Sequence, residues 1–227
     1  MKNKIEHLRS KISLSNRFEN KKIKNVLKWL NKKDKINKMK VEKVSINKMK
    51  DWFYKKNGNL VHKSGQFFSV EGVKVKSAKE REISDWEQPI LNQKHGGILA
   101  ILMRERNKII EFLLFARKEP GDNKIKLCPS FSATQSNINL AHGGKKTPLY
   151  EIILAKKKKI IGETIHYEEG ARFWKKTNKN LLIQVSLKDS YKLKNKNFIW
   201  LNLTQIKKLN FKKGILNPFV KTILFMI

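Results

Sequence analysis

Two apolar runs, residues 98–103 and 109–116, stand close together, with the polar stretch Arg104-Glu105-Arg106-Asn107 between them. Apolar runs of six to eight residues bounded by polar ones read as strands, and so short a gap makes them a hairpin. Pro120-Gly121-Asp122 closes the pair with strong turn chemistry. Further strands are read at 66–70, at 160–167, at 181–187 and at 198–201, while Val73 and Val75 alternate with lysines as in a half-exposed strand after a turn at Glu71-Gly72. Helical segments are read at 148–155, from Leu203 with Thr204 near its start, and at 215–225 with Pro218 in the first turn. Residues 156–159 form a solvated lysine connection, and no internal repeat is visible. The expected class is α+β with several antiparallel strands.

Residues 1–50 differ in character. Ile5, Leu8 and Ile12 make one helical stripe, and Ile23, Val26, Leu27 and Leu30 make another. A polar break begins at Asp34-Lys35, after which Val41, Val44 and Ile46 lead towards Trp52. This segment reads as a basic N-terminal helical arm on a domain spanning 51–227. Such an arm could touch a membrane or nucleic acid, or pack on its own domain or on a partner subunit, which is the simpler reading.

The 227 residues carry 51 Lys+Arg against 19 Asp+Glu, a net charge of +32. Such a field attracts polyanions. Only seven of these cations are arginines, however, and lysine, asparagine and isoleucine are enriched together along the chain. That is what a codon bias produces, whereas surfaces dedicated to nucleic acid exploit the planar arginine fork. Nucleic acid is therefore not the expected partner. Cys128 is the one cysteine, so no intrachain disulfide or cysteine metal site is available, and it reads as a small buried hydrophobe. Residues 2–24 hold no apolar signal core and 223–227 are too few to span a bilayer. The expectation is a cytoplasmic protein without membrane contact.

Four stretches are richer in polar groups than structure alone requires: His62-Lys63-Ser64-Gly65 with Phe67-Phe68; Asp85-Trp86-Glu87-Gln88-Pro89; Arg117-Lys118-Glu119-Pro120-Gly121 continuing through 132–137 to His142-Gly143-Gly144; and His166-Tyr167-Glu168-Glu169-Gly170-Ala171-Arg172-Phe173 with Lys175 and Asn178. Each has a bland alternative. His62 and His142 beside glycines fit turns, Thr134 and Asn137 fit caps or loops, Trp86 fits packing, and Glu168-Glu169 fits a helix N-terminus. No metal-ligand spacing, dinucleotide glycine motif or P-loop is present, so no metal and no cofactor is expected.

Taken in order, the stretches form a pattern. Trp52, Gly58-Asn59-Leu60, His62, Ser64-Gly65, Phe67-Phe68-Ser69-Val70, Trp86, Gln88-Pro89-Ile90, Gly96-Gly97-Ile98-Leu99, Glu119-Pro120-Gly121, Ala133-Thr134, Ser136-Asn137, His142-Gly143-Gly144, Glu169-Gly170, Arg172-Phe173 and Asn178-Lys179-Asn180 resemble the NDP-hexose 2,3-dehydratases of deoxysugar pathways. Trp200-Leu201-Asn202-Leu203-Thr204-Gln205-Ile206, Leu216-Asn217 and Thr222-Ile223-Leu224 are similar to that family's closing segment. The likeness covers residues 50–227, and more loosely the arm from Trp29. Members are usually about twice as long, with two tandem copies of the module where this chain has one. Ser132, Gln135 and Ile138 replace residues common around the Thr-Ser-Asn stretch, Asp122 stands where asparagine usually ends Pro-Gly-Asn, and Lys175-Lys176-Thr177-Asn178 replaces a Lys-Arg-Asn run.

The resemblance implies a Nudix-like mixed sheet packed with helices, and a homodimer in which two copies stand in for the tandem pair. It implies a dTDP-linked 4-keto-6-deoxyhexose as substrate and elimination of water across carbons 2 and 3. On this reading Glu169 or Glu168 is the general base, partly buried beside its like-charged neighbour. His142 is the competing base and the candidate acid, and Lys118 faces the enolate oxygen. Thr134 and Asn137 hold sugar hydroxyls, Arg172 and Lys175 the diphosphate, and Trp52, Trp86 or Phe68 stacks on the nucleotide base. His62, Gln88 and Asn178 complete the substrate-binding set. One alternative is a Nudix-type pyrophosphohydrolase, for which Glu163, Glu168 and Glu169 would have to hold metal. The other is a basic nucleic-acid-binding module.

Overall fold

The computed structural model describes residues 2–15, 22–77, 79–155 and 159–227, with the side chains of residues 2, 14 and 15 left aside. Helices α1 (Lys2–Ser15) and α2 (Ile23–Lys35) come first, then β1 (Trp52–Tyr54), β2 (Leu60–His62), β3 (Ser69–Val75) and β4 (Trp86–Asn92). The central hairpin is β5 (Gly97–Arg106) and β6 (Ile109–Arg117), followed by β7 (Lys126–Pro129), β8 (Phe131–Thr134), α3 (Gln135–Ile138) and α4 (Tyr150–Leu154). The chain continues through β9 (Lys159–Tyr167), β10 (Thr177–Gln184), α5 (Leu187–Ser190), β11 (Phe198–Leu201), α6 (Leu203–Asn210) and α7 (Pro218–Leu224).

The β5–β6 hairpin organises the larger sheet, whose order is β11-β6-β5-β10-β9. Its turn is tighter than the polar gap between the two apolar runs predicts. Asn107 and Lys108 take positive φ of 51° and 62°, as a two-residue hairpin turn requires, and Arg104 and Arg106 stay in the strand. The reason is Glu111, 1% exposed, which draws both arginines to its carboxylate: Arg104 Nε donates at 2.8 Å and Arg106 Nη2 at 3.2 Å. Arg104 also lies over the Trp200 ring at 4.2 Å, which closes its other side.

Beyond this paired end β5 and β6 diverge. β8 pairs with β5 over 97–100 and β7 pairs with β6 over 114–117. Ser130, at the junction of β7 and β8, fills the fork: its Oγ accepts from Leu102 N–H at 2.8 Å and donates to Ala100 O at 3.1 Å, so neither buried backbone group is orphaned. β10 pairs with β5 in parallel and with β9 antiparallel, which makes the sheet mixed.

Successive residues of β5 feed opposite cores, as strand pleating requires. Leu99, Ile101 and Met103 join Phe112 and Leu114 beneath α1, α2, α6 and α7, whereas Ala100 and Leu102 join Leu113, Phe131, Ile153 and Leu181 on the other face. The α1 and α2 stripes are part of the first core: Leu8, Ile12, Val26 and Leu30 are all buried there. The fold is thus α+β, with helices on both faces of a mixed sheet.

The smaller sheet, β1-β2-β3-β4, is wholly antiparallel. It corrects one sequence expectation. The turn at Glu71-Gly72 is absent, because β3 pairs with β4 without interruption from Ser69↔Asn92 to Val75↔Trp86. The polar stretch is strand from Trp86 onward, with Pro89 tolerated because β4 lies at the sheet edge. Elsewhere, the strand expected at 181–187 is displaced to Thr177–Gln184, with Leu187 opening α5, and the closing helix begins only at Pro218, capped by the Asn217 side chain. The strand expected at 66–70 begins at Ser69. Of the lysine connection at 156–159, only Lys159 lies within the described residues, where it opens β9.

Candidate functional site

A groove of about 650 Å³ runs between the small sheet and α3. One wall is aromatic, and sheet geometry places it there: Trp52 on β1 is opposite His62 on β2. Their rings meet edge to face at 5.4 Å, Phe68 tilts against Trp52 at 5.0 Å, and Phe67 meets His62 at 4.6 Å. Of these, His62, Phe67 and Phe68 line the groove together with Phe53. Three of the expected binding residues, Trp52, His62 and Phe68, are thereby brought together.

The groove is also cationic. Lys55, Lys63 and Lys94 line it. Lys63 is paired with Asp51 at 2.7 Å, and this contact holds the Asp51 carboxyl below the usual range. Lys55 and Lys94 have no ion-pair partner among the described residues. On the sheet floor Ser69, Glu71 and Asn92 share one face, because alternate residues of β3 point the same way and Asn92 is registered opposite Ser69. The Ser69 Oγ donates to Glu71 Oε1 at 2.5 Å and Asn92 Nδ2 donates to the same oxygen at 3.0 Å. Gln135, Ser136 and Asn139 face this floor from the main body.

A smaller pocket of about 310 Å³ lies on the main body, with Arg117, Glu119, Thr134, Asn137 and Asn217 in its lining. Thr134 is the N-cap of α3, accepting from Asn137 N–H at 3.4 Å, and its hydroxyl meets Ser136 Oγ at 2.9 Å. The capping alternative therefore holds for Thr134, whereas Asn137 lies inside α3, and the two sit one residue either side of groove-lining positions. Lys118, between pocket residues Arg117 and Glu119, is half-buried and lines neither cavity.

The β9–β10 turn carries the remaining expected residues and separates their fates. Glu168 is nearly buried: Asn178 Nδ2 donates to its Oε1 at 2.6 Å and Lys176 Nζ lies at 3.3 Å. Asn178 in turn accepts from Gly97 N–H at 2.9 Å, which ties this turn to the start of β5. Glu169 is not partly buried as expected. Its side chain is 64% exposed and pairs with Arg172, itself 73% exposed. Lys175 is exposed over Trp174, and His142 is an exposed turn histidine whose Nδ1 accepts from Gly144 N–H at 2.8 Å. Trp86 donates to Gln88, which donates to Ala171 O at 2.7 Å, so this pair fastens β4 to the turn. None of Glu168, Glu169, His142, Arg172, Lys175, Trp86, Gln88 and Asn178 lines either cavity. The three carboxylates that a metal-dependent hydrolase would need are each engaged by a cation of their own, Glu163 by Lys179 at 2.9 Å. Among the described residues no group of three or more metal-ligating side chains occurs, and no helix is long and apolar enough to cross a membrane.

Sequence reasoning missed Ser69, Glu71, Asn92, Gln93, Lys94 and His95 as site residues. A usable signal was present for Glu71: in the period-2 pattern of β3 it is the acidic residue that shares a face with Ser69 and the aromatic-flanked strand start. No local signal marks Asn92 to His95, since only strand register brings them to the groove.

An α+β protein with an open groove, aromatic on one side, cationic at its rim and carrying a hydrogen-bonded carboxylate on its floor, has the ring faces, positive charge and acid–base group that enzymes place in their ligand clefts. The sequence model for NDP-hexose 2,3-dehydratases matches residues 23–227, and the chain belongs to that family. Among curated proteins it is 31% identical over 207 residues to a dTDP-4-dehydro-6-deoxy-alpha-D-glucopyranose 2,3-dehydratase of Amycolatopsis orientalis, covering 86% of this chain and 42% of that protein. It is 32% identical to the same-named protein of Saccharopolyspora spinosa, covering 88% and 41%. The chain thus spans about two fifths of the length of these relatives. Solved structures offer looser likenesses: an ADP compounds hydrolase (10% identity, 83% of this chain and 94% of that one, TM-score 0.44) and the C. elegans Ap4A hydrolase (16%, 58% and 94%, TM-score 0.33). These are too distant to bear on this chain's chemistry.

Proposed function

We propose that the protein is a nucleotide-sugar 2,3-dehydratase that removes water from a dTDP-4-keto-6-deoxyhexose to give a 3,4-diketo-2,6-dideoxy sugar, acting as a homodimer in the cytoplasm. The observation that carries the reading is the groove, where ring-stacking, anion-binding and proton-handling side chains converge in one cavity in a chain of this family. The relatives' names supply the substrate, and two copies of this chain together approach the length of one relative.

The chemistry needs little beyond such a cavity. The 4-ketone acidifies the proton on carbon 3. Once that proton is taken, the electron pair is held as an enolate, and the carbon 2 hydroxyl departs as water; the enol left at carbon 3 then gains a proton at carbon 2 and gives up its hydroxyl proton to become the 3,4-diketone. The step is redox-neutral, so the ketone itself is the electron sink. Phe53, Phe67 and Phe68 provide faces for the nucleobase, Lys55 and Lys94 provide charge for the diphosphate, and Gln135, Ser136 and Asn139 provide partners for sugar hydroxyls. The site is open to solvent, so the lysines act as steering charges more than as buried pairs.

Calorimetric titration with dTDP, together with NMR of the keto sugar nucleotide, tests this. Wild-type protein should bind dTDP and form the dehydrated product. Replacing Lys55 and Lys94 together by Gln should weaken dTDP binding about tenfold or more at low salt, with a flatter salt dependence. A protein that neither binds dTDP nor alters the keto sugar refutes the reading.

A further inference from the structure

Resting on the dehydratase reading, we infer that Glu71 is the general base that removes the carbon 3 proton, held in place by Ser69 and Asn92. Glu71 lines the groove. Both of its hydrogen bonds fall on one oxygen, Oε1, from Ser69 Oγ at 2.5 Å and Asn92 Nδ2 at 3.0 Å. Two donors from a single sheet face lock the side chain's rotamer, while Oε2 has no hydrogen-bond partner among the described residues. A base needs that combination of a fixed carboxylate and an uncommitted lone pair.

Comparison with the other carboxylates at the cavities and on the β9–β10 turn favours Glu71. Asp51 is paired with Lys63, Glu119 with Arg117, Glu168 with Lys176 and Glu169 with Arg172. An ion-paired carboxylate is a weaker base and must break its pair to act. Among the described residues Glu71 makes no ion pair, so no salt bridge has to break before its free oxygen can reach a proton. The floor position also matters, because β3 pairs on both sides, which gives the base a rigid mount.

His62 supplies the complementary donor. Its Nδ1 accepts from Ser64 N–H at 3.2 Å, and a backbone N–H can only donate, so the neutral ring carries its proton on Nε2. Trp52 and Phe67 fix the ring plane by edge contacts. The Nε2–H is then the donor offered to the 4-keto oxygen as negative charge develops there. The proton count closes within the site. Glu71 takes the carbon 3 proton as the C3–H bond breaks and the enolate forms. The C2–O bond then breaks as the enolate pair forms the carbon 2–carbon 3 double bond, and the carboxyl returns its proton to the departing oxygen, releasing water. No oxidant or reductant enters.

The test follows carbon 3 deuterium exchange and product formation by NMR in D2O, with full-length protein and dTDP-4-dehydro-6-deoxy-alpha-D-glucopyranose. Glu71→Gln keeps the size and the Ser69 contact, so it should fold and bind dTDP within about twofold of wild type while exchange and turnover fall by about 10²–10⁴-fold. Ser69→Ala removes one of the two donors that fix the carboxylate, so kcat should fall while KM and dTDP affinity stay unchanged, and Ser69→Thr, which keeps the hydroxyl, should restore kcat. Full exchange in Glu71→Gln, beside an active wild type, overturns the assignment and leaves the dehydratase reading standing. A wild type that binds dTDP but neither exchanges nor dehydrates the sugar overturns both.

Discussion

Asn178→Asp turns a donor into an acceptor without changing the shape of the side chain. Asn178 is 6% exposed, with its Oδ1 at 2.9 Å from Gly97 N and its Nδ2 at 2.6 Å from Glu168 Oε1. Gly97 N–H can only donate, so the substituted carboxylate must keep one oxygen there and turn the other against Glu168. The lost donor to a charged group costs about 1.5–3 kcal/mol. Two carboxylates in contact cannot both ionise, and Lys176 Nζ at 3.3 Å offsets only part of their repulsion. A rise of about two units in one of them adds about 2.7 kcal/mol well above its folded pKa. A raised folded-state pKa gives a penalty that is absent below the unfolded value of about 4 and grows as pH rises through the folded value. The destabilisation relative to wild type should therefore be about 4–6 kcal/mol at pH 8 and smaller by about 1–2 kcal/mol at pH 5. Urea unfolding at the two pH values measures it. Asn178→Ala, which loses both bonds but adds no charge, should show a penalty that does not change with pH. Parallel pH dependence for Asn178→Asp and wild type would refute the reasoning.

Other expectations follow from the same contacts. Glu111→Gln strands Arg104, 6% exposed, without its counter-charge, and should cost about 3–5 kcal/mol in chemical denaturation; a loss below about 1 kcal/mol would mean water reaches the arginine. Gly96→Ala would put a Cβ 1.9 Å from the Thr177 carbonyl oxygen and should force β5 and β10 apart at a cost of about 1–3 kcal/mol or more, whereas Gly72→Ala meets nothing within 4 Å and should leave the melting temperature level or slightly raised. Burial pushes the Cys128 thiol from 9.0 to about 11. A raised acid favours the folded state fully below pH 9 and loses that contribution as pH climbs towards 11, so iodoacetamide should modify Cys128 slowly in native protein at pH 8 and rapidly in urea; equal rates would contradict its burial.

Local pattern was enough for the parts of this protein governed by neighbours in sequence. Apolar runs either side of a short polar gap specify the β5–β6 hairpin; Leu8, Ile12, Val26 and Leu30 recur at helical spacing and are buried; Pro218 opens a helix because its missing N–H is not needed there. The ordered scatter of His62, Phe68, Thr134 and Asn178 was legible as a family pattern, and Trp52, His62 and Phe68 do meet. What a carboxylate does could not be read this way. Glu168, Glu169 and Glu71 look alike along the chain, and they differ only in what is packed against them: Lys176 and Asn178 for the first, solvent and Arg172 for the second, Ser69 and Asn92 for the third. Those neighbours arrive through the register of β3 on β4, which brings Asn92 to Glu71 from 21 residues away, and through the antiparallel pairing of β9 with β10, which turns Lys176 and Asn178 back onto Glu168. Electrostatic environment falls off over a few ångströms and takes no account of sequence distance, so tertiary structure alone decides which acid is neutralised and which is left to act.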